Sequence, residues 1–148
     1  MTVSPQLELT EEALREFVGE WYRALDRHDP LEQVLEFLVP EGLVMNFPEG
    51  TTRGLEGFGE WYETVTHKFF DEVHEVRSVH LEDAAEDRLT VKVVVNWQTK
   101  IWNPPAPESV WLGFDAYQTW TVVVHEGTPR ILDYTVDGLE AMPGSPAL

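Results

Sequence analysis

Apolar residues in the first part of the chain recur at three- and four-residue intervals. Leu14, Phe17, Val18, Trp21 and Leu25 fall on one helical face, so the segment after Thr10 predicts an amphipathic helix running to about Arg27. Thr10 is placed to cap it, with Glu11 and Glu12 in the first turn, where the positive end of the helix dipole favours carboxylates. Asp29-Pro30 stops this helix and starts a shorter one, PLEQVLEFL, which ends near Val39-Pro40. Leu43 to Phe47 read as a short strand and Pro48 to Gly54 as a turn rich in Pro and Gly. A third helix is predicted from Leu55 to about Phe69, where Phe58, Tyr62, Val65 and Phe69 share one face flanked by Trp61.

From Val73 onward the period changes to two. Four runs predict strands: Val73 to Glu82, Leu89 to Trp102, Val110 to His125 and Arg130 to Val136. The connecting segments LEDAAED, NPPAPES and HEGTP are of hairpin type, so the strands are expected to pair in sequence order as an antiparallel meander. Long strands that bend carry irregularities, and Gly113 is the expected bulge position. The apolar helix faces must cover one side of this sheet, which predicts an α+β fold in which a curved sheet wraps three N-terminal helices and leaves a cavity. One domain over residues 1–148 is expected, with short flexible ends at about 1–9 and 141–148.

Composition narrows the partners. A chain of 148 residues with 43% hydrophobic content can bury a core for one domain. Ten Lys and Arg against 27 Asp and Glu give a net charge of −17, which repels phosphate backbones and anionic lipid, so neither nucleic acid nor membrane is expected as a partner. Such acidity reads as solubility or adaptation to a salty cytoplasm rather than as a surface built for a basic partner. Zero cysteines exclude disulfides, thiolate nucleophiles and thiolate metal sites. The N-terminal segment does not read as a secretory signal, and no apolar stretch approaches the roughly 20 residues that span a bilayer, so the expected location is cytoplasmic. His67, His74 and His80 match no compact metal-ligand spacing, and EGTTRGLEG lacks the lysine of a nucleotide loop, leaving Arg53 as turn chemistry. Neither a metal nor a cofactor is expected.

The order of helix, short helix, strand ending in NFP, glycine turn, aromatic helix and four strands finishing ILDYTVDGL covers Thr10 to Gly138. It resembles the NTF2-like superfamily, the cone-shaped α+β group (a cystatin-like α+β barrel) that includes the SnoaL-like proteins. The resemblance implies a small hydrophobic or aromatic ligand in the cone and a homodimer formed through the convex sheet face. It also places His74 where many NTF2-like dehydratases present a histidine to the cavity. An imidazole there could take and give a proton at neutral pH; the alternative is a strand-end histidine satisfied by its neighbours. His80 shares parity with His74 but lies six residues on, where an exposed role is expected.

Asp133, directly before Tyr134, matches the carboxylate that the SnoaL-like and limonene epoxide hydrolase-like branches carry on the last strand. It could orient His74 or serve as a base itself. Alternation of Leu132, Tyr134 and Val136 opposes this, since those apolar residues would take the core side and turn Asp133 outward. Asn46 matches an asparagine that helps hold the attacking water in epoxide hydrolases of this fold, but VVVNWQT lacks the arginine and aspartate of that machinery. Phe47 stands where ketosteroid isomerase has its aspartate base, and that enzyme's tyrosine falls near Trp21 with Tyr22 adjacent. Scytalone dehydratase is matched at His74 and Asp26, whereas its pocket tyrosines fall on Leu25 and Phe47 and its second histidine on the Phe114 to Gln118 stretch, which has none.

Of the abundant aromatics, Trp21 and Trp120 read as core, Trp61 and Trp97 as cavity walls, and Trp102 and Trp111 as brackets of the Asn103 to Ser109 loop. Tyr117 is expected as a polar ligand contact, with Gln118 and Asp115 as lesser candidates. The function expected is a cofactor-independent isomerase, dehydratase or cyclase working by proton transfer through His74 and Asp133, with Asn46, Phe47, Trp61, Trp97 and Tyr117 around the ligand. A binding protein without proton chemistry, or an interaction module whose cavity is filled by its own aromatics, are the alternatives.

Overall fold

The first apolar face folds into α1 (Glu11–Asp26), in a computed structural model that describes residues 9–148. The flexible end expected at 1–9 lies, apart from Leu9, outside the described residues. Thr10 Oγ1 accepts the Ala13 backbone N–H at 3.0 Å and so caps α1, which buries Leu14, Phe17, Val18, Trp21, Tyr22, Ala24 and Leu25. After Asp29-Pro30 a single α-turn, α2 (Leu31–Val34), tightens into a 3-10 turn over Leu35–Phe37. The third helix, α3 (Gly54–Lys68), turns Phe58 and Tyr62 inward.

Six strands follow the order β2-β1-β6-β5-β4-β3, with β1 Val44–Phe47, β2 Gly50–Arg53, β3 Phe70–Ala84, β4 Leu89–Ile101, β5 Val110–His125 and β6 Thr128–Ala141. The long strands pair in sequence order, as the hairpin links predict. Two features depart from the expectation. Four of the seven residues of the expected Pro48 to Gly54 turn form β2, which pairs antiparallel with β1 from Phe47↔Gly50 to Val44↔Arg53. The sheet is also mixed, because β1 runs parallel to β6, with Val44 opposite Asp133 and Met45 opposite Tyr134. Thr51 and Thr52 supply the β-branched residues of this added strand. Gly54, at φ +70°, makes the sharp step into α3 while its N–H donates to Leu43 O at 2.8 Å.

The irregularities fall elsewhere than expected. Gly113 lies opposite Gln98 in unbroken register. Its missing side chain is needed because a Cβ would come within 2.5 Å of the Trp111 ring and 2.7 Å of the Met142 sulfur. The β5–β6 register shifts between Thr121/Val122 and between Tyr117/Gln118, which makes Leu132 and Asp137 the extra residues on β6. Each shift resets the alternation, so Ile131 and Tyr134 are both buried, and Val136 and Leu139 both face the cavity described below. On β3 the shifts fall between Phe70/Val73, Val76/Ser78 and Leu81/Asp83.

The helices cover one face of the sheet. Trp21, fully buried, is the centre of the core, with ring centroids of Phe37, Phe58, Tyr134 and Trp120 at 5.7, 5.9, 6.1 and 6.4 Å. Trp120 is buried as completely, so both tryptophans read as core residues are core residues. No helix among the described residues is long and apolar enough to cross a membrane.

Candidate functional site

Between α1, α3 and the inner face of the sheet lies a cavity of about 680 Å³. Its walls include Leu25, Phe47, Trp61, Tyr62, Val65, Phe69, Val95, Trp97 and Leu139, so most of the contact it offers is aromatic or aliphatic. The Phe47 and Trp61 rings stack face to face at 3.9 Å, and Trp61 Nε1 donates to Glu49 Oε1 at 2.8 Å.

Polar groups interrupt this lining, and His74 is the most constrained of them. It stands opposite Trp97 in the β3–β4 ladder, so both side chains leave the sheet on the same face. The imidazole stacks on the Tyr22 ring, 4.6 Å away and tilted by 22°, and runs nearly parallel to the Trp97 ring, 6.0 Å away and tilted by 10°. Asp26, the last residue of α1, reaches the same histidine. Its Oδ1 lies 2.5 Å from Nδ1 and its Oδ2 accepts the His74 backbone N–H at 2.9 Å. An ionised carboxylate only accepts, so in the neutral imidazole the proton sits on Nδ1 and Nε2 carries the lone pair. The His74 side chain is 10% exposed and lines the cavity, and Nε2 has no protein partner among the described residues.

Glu72, two residues earlier on the same strand face, also lines the cavity. Its Oε2 accepts Trp97 Nε1–H at 2.8 Å, and its Oε1 accepts from His28 Nε2 at 3.1 Å. The preceding register shift and the left-handed backbone of Asp71, φ +51°, aim this end of β3. Beside it, Tyr62 donates to Asp29 O at 2.7 Å, and burial, followed by the Asp29 and Glu72 carboxylates, pushes its phenol up to about 12.

On the inner wall Gln118, 3% exposed, accepts the Tyr22 hydroxyl at 3.0 Å and the Trp120 indole N–H at 2.9 Å through one oxygen. Tyr134 and Tyr22 hydroxyls meet at 3.0 Å. Burial raises the Tyr22 phenol well above its ordinary range, with Tyr134 adding to the rise, and burial pushes Tyr134 up to about 12. Both hydroxyls therefore stay neutral donors at physiological pH. Tyr22 joins the two parts of the site, since its ring stacks on His74 while its hydroxyl is fixed to Gln118.

Of the residues expected from the sequence, His74, Phe47, Trp61 and Trp97 line the cavity, and Asn46, Tyr117 and Asp133 do not. The expected pairing of Asp133 with His74 is corrected: the carboxylate on His74 belongs to Asp26. Asp133 Oδ1 accepts instead from Thr135 Oγ1 at 2.8 Å. That hydroxyl accepts Asn46 Nδ2 at 3.0 Å, and Asn46 Oδ1 accepts Thr51 Oγ1 at 2.7 Å. Asn46 and Asp133 thus share a polar chain across β2, β1 and β6 on the sheet face away from the cavity, because Met45 and Tyr134 beside them turn inward. Tyr117 is 43% exposed, on the side opposite its buried neighbours Ala116 and Gln118. His80 is exposed, as its position suggests.

Asp26 was within reach of the sequence only through its match to scytalone dehydratase. Glu72 left no mark in the hydrophobic pattern, although its i, i+2 spacing from His74 was a usable sign. Gln118 was visible as a polar break in an apolar strand. Among the described residues no cluster of three or more acidic or histidine side chains is arranged to hold a metal ion.

No family model matches the chain, and no curated protein sequence matches it. Solved structures do. A candidate aromatic ring hydroxylase from Novosphingobium aromaticivorans is 14% identical with a TM-score of 0.76, over 89% of this chain and 92% of that one. A candidate scytalone dehydratase from the same organism is 15% identical with a TM-score of 0.72, over 88% and 83%. Hexachlorocyclohexane dehydrochlorinase LinA type 3 from Novosphingobium barchaimii is 13% identical with a TM-score of 0.70, over 93% and 92%. At such identities the likeness is one of fold. With three helices laid on a curled six-stranded sheet, this chain has a cystatin-like α+β fold.

Proposed function

We propose that the protein is a cofactor-independent enzyme that moves a proton on a small hydrophobic or aromatic compound, as a dehydratase, isomerase or related lyase. The observation that carries this reading is the holding of His74. Its ring stacks on Tyr22 and runs parallel to Trp97, and its Nδ1 is fixed by Asp26, so Nε2 has one orientation, toward the cavity. A base held this way loses little freedom on reaction, and general-base catalysis contributes about 10² to 10⁴ in rate. Asp26 fixes the tautomer and stabilises the imidazolium that forms when a carbon-bound proton is taken. The aromatic walls select a flat apolar ligand. Two solved structures of the same fold, a candidate dehydratase and a dehydrochlorinase, are named for eliminations, which fits a base in such a cavity.

A homodimer through the outer sheet face belongs to the same proposal, supported by the exposed Tyr117 and Val110 on β5.

The reading is tested with β-tetralone in heavy water, following exchange of its α-protons by NMR. Wild type should accelerate exchange and His74→Ala should lose the acceleration while still binding the ketone. A non-catalytic binding protein would bind β-tetralone in both forms and accelerate exchange in neither.

A further inference from the structure

Two carboxylate–histidine pairs border the cavity, and they are built in opposite order. In one, Asp26 stands behind His74 and the imidazole faces the ligand space. In the other, His28 stands behind Glu72 and the carboxylate faces it. Glu72 and His74 share one face of β3, with Trp97 between them: its N–H bonds Glu72 and its ring runs parallel to the His74 ring. We propose that Glu72 is a second proton-transfer residue of this site, an acid that delivers a proton to an oxygen leaving the ligand and is resupplied from solvent through His28. The proposal rests on the reading of His74 as the base.

The chemistry asks for such a group. A base alone can form an enolate, but expelling hydroxide from carbon near neutral pH needs a proton on the leaving oxygen. Base and acid at separate points let both transfers occur on one bound ligand. Glu72 is suited to this by its surroundings, since its side chain is 9% exposed and one of its two partners, the Trp97 indole, is neutral and keeps its proton. The transferable proton is the one shared between Glu72 and His28, whose side chain is 29% exposed and so open to water. For a β-hydroxy ketone, His74 Nε2 takes the proton from the carbon beside the carbonyl. The electron pair forms the new C=C bond as the C–O bond to the hydroxyl breaks, and the proton of the Glu72–His28 pair goes to the departing oxygen. Enone and water result; His74 then gives one proton to solvent and His28 takes one up, restoring both pairs.

Two probes separate the roles. The β-hydroxy ketone formed from benzaldehyde and acetone needs an acid to lose water, whereas nitrobenzisoxazole, opened by a base that takes its ring proton, expels a nitrophenolate that needs none. Glu72→Gln should lower kcat for the hydroxy ketone by about 100-fold more than it lowers nitrobenzisoxazole conversion. His28→Asn should lower only the hydroxy ketone rate, and His74→Ala should lose both. An equal loss on both probes in Glu72→Gln, or no loss on either, overturns the proposal. So does a wild type that converts nitrobenzisoxazole but not the hydroxy ketone. A wild type that converts neither overturns the His74 reading on which it rests.

Discussion

Asp26 grips His74 twice, through the ring at 2.5 Å and through the backbone N–H at 2.9 Å, so the end of α1 sets both the position of β3 and the tautomer of its histidine. A carboxylate that served packing alone would not need both contacts. Asp26→Asn offers an amide that can meet the ring in the wrong tautomer. It should lower turnover of β-tetralone or nitrobenzisoxazole by about 10- to 100-fold, in kcat more than in KM. Steady-state kinetics of the variant check this, and an unchanged kcat would leave Asp26 a purely structural residue.

Asp133 and Asn46 belong to the outer polar chain through Thr135. Asp133→Asn and Asn46→Ala should therefore leave turnover of either probe unchanged. A loss of kcat in Asp133→Asn, with melting temperature preserved, would return Asp133 to the site.

Gln118 satisfies two buried donors with one oxygen. Gln118→Leu keeps the volume and orphans the Tyr22 hydroxyl and the Trp120 N–H. A cost of about 1–3 kcal/mol for each buried donor left unpaired predicts a clear drop in urea midpoint. A midpoint equal to wild type would mean that cavity water replaces the amide at no cost.

The raised phenols give stability a definite pH dependence. Tyr134 ionises at about 12 in the folded chain and near 10 when unfolded, and Tyr22 is displaced in the same direction. Between these values the folded state holds protons that the unfolded state has lost. The contribution is complete below about pH 10 and falls as pH rises toward 12, by on the order of 3 kcal/mol for Tyr134. Denaturant midpoints measured from pH 8 to 11.5 should hold steady and then fall. A flat profile would contradict the burial of these hydroxyls.

The parts of this fold that repeat were legible in the chain, and the single-residue events were not. The spacing of Leu14, Phe17, Trp21 and Leu25 specifies α1 because a helix must bury one stripe, and the period-two runs specify the four long strands. The β2 strand was hidden because four residues carry too little pattern to outweigh the glycines around them. The extra residues at Leu132 and Asp137 were invisible, since a bulge changes register without changing composition. Within the site the wall residues Phe47, Trp61 and Trp97 and the histidine could be picked out, each from its own element. Asp26 and Glu72 depend on which groups meet across α1, β3 and β4, a tertiary fact that no local spacing encodes. Alternation along β6 did speak against Asp133, and the side chain follows that alternation.

The role of His74 is tested most directly by chemical rescue. Conversion of nitrobenzisoxazole would be followed for wild type, for His74→Ala, and for His74→Ala with added imidazole, with ligand affinity measured in parallel. Turnover should fall by about 100-fold or more in the variant at unchanged affinity, and imidazole entering the vacated space should restore part of it. Equal rates in wild type and variant, or a loss that follows a loss of affinity, would contradict proton transfer by His74.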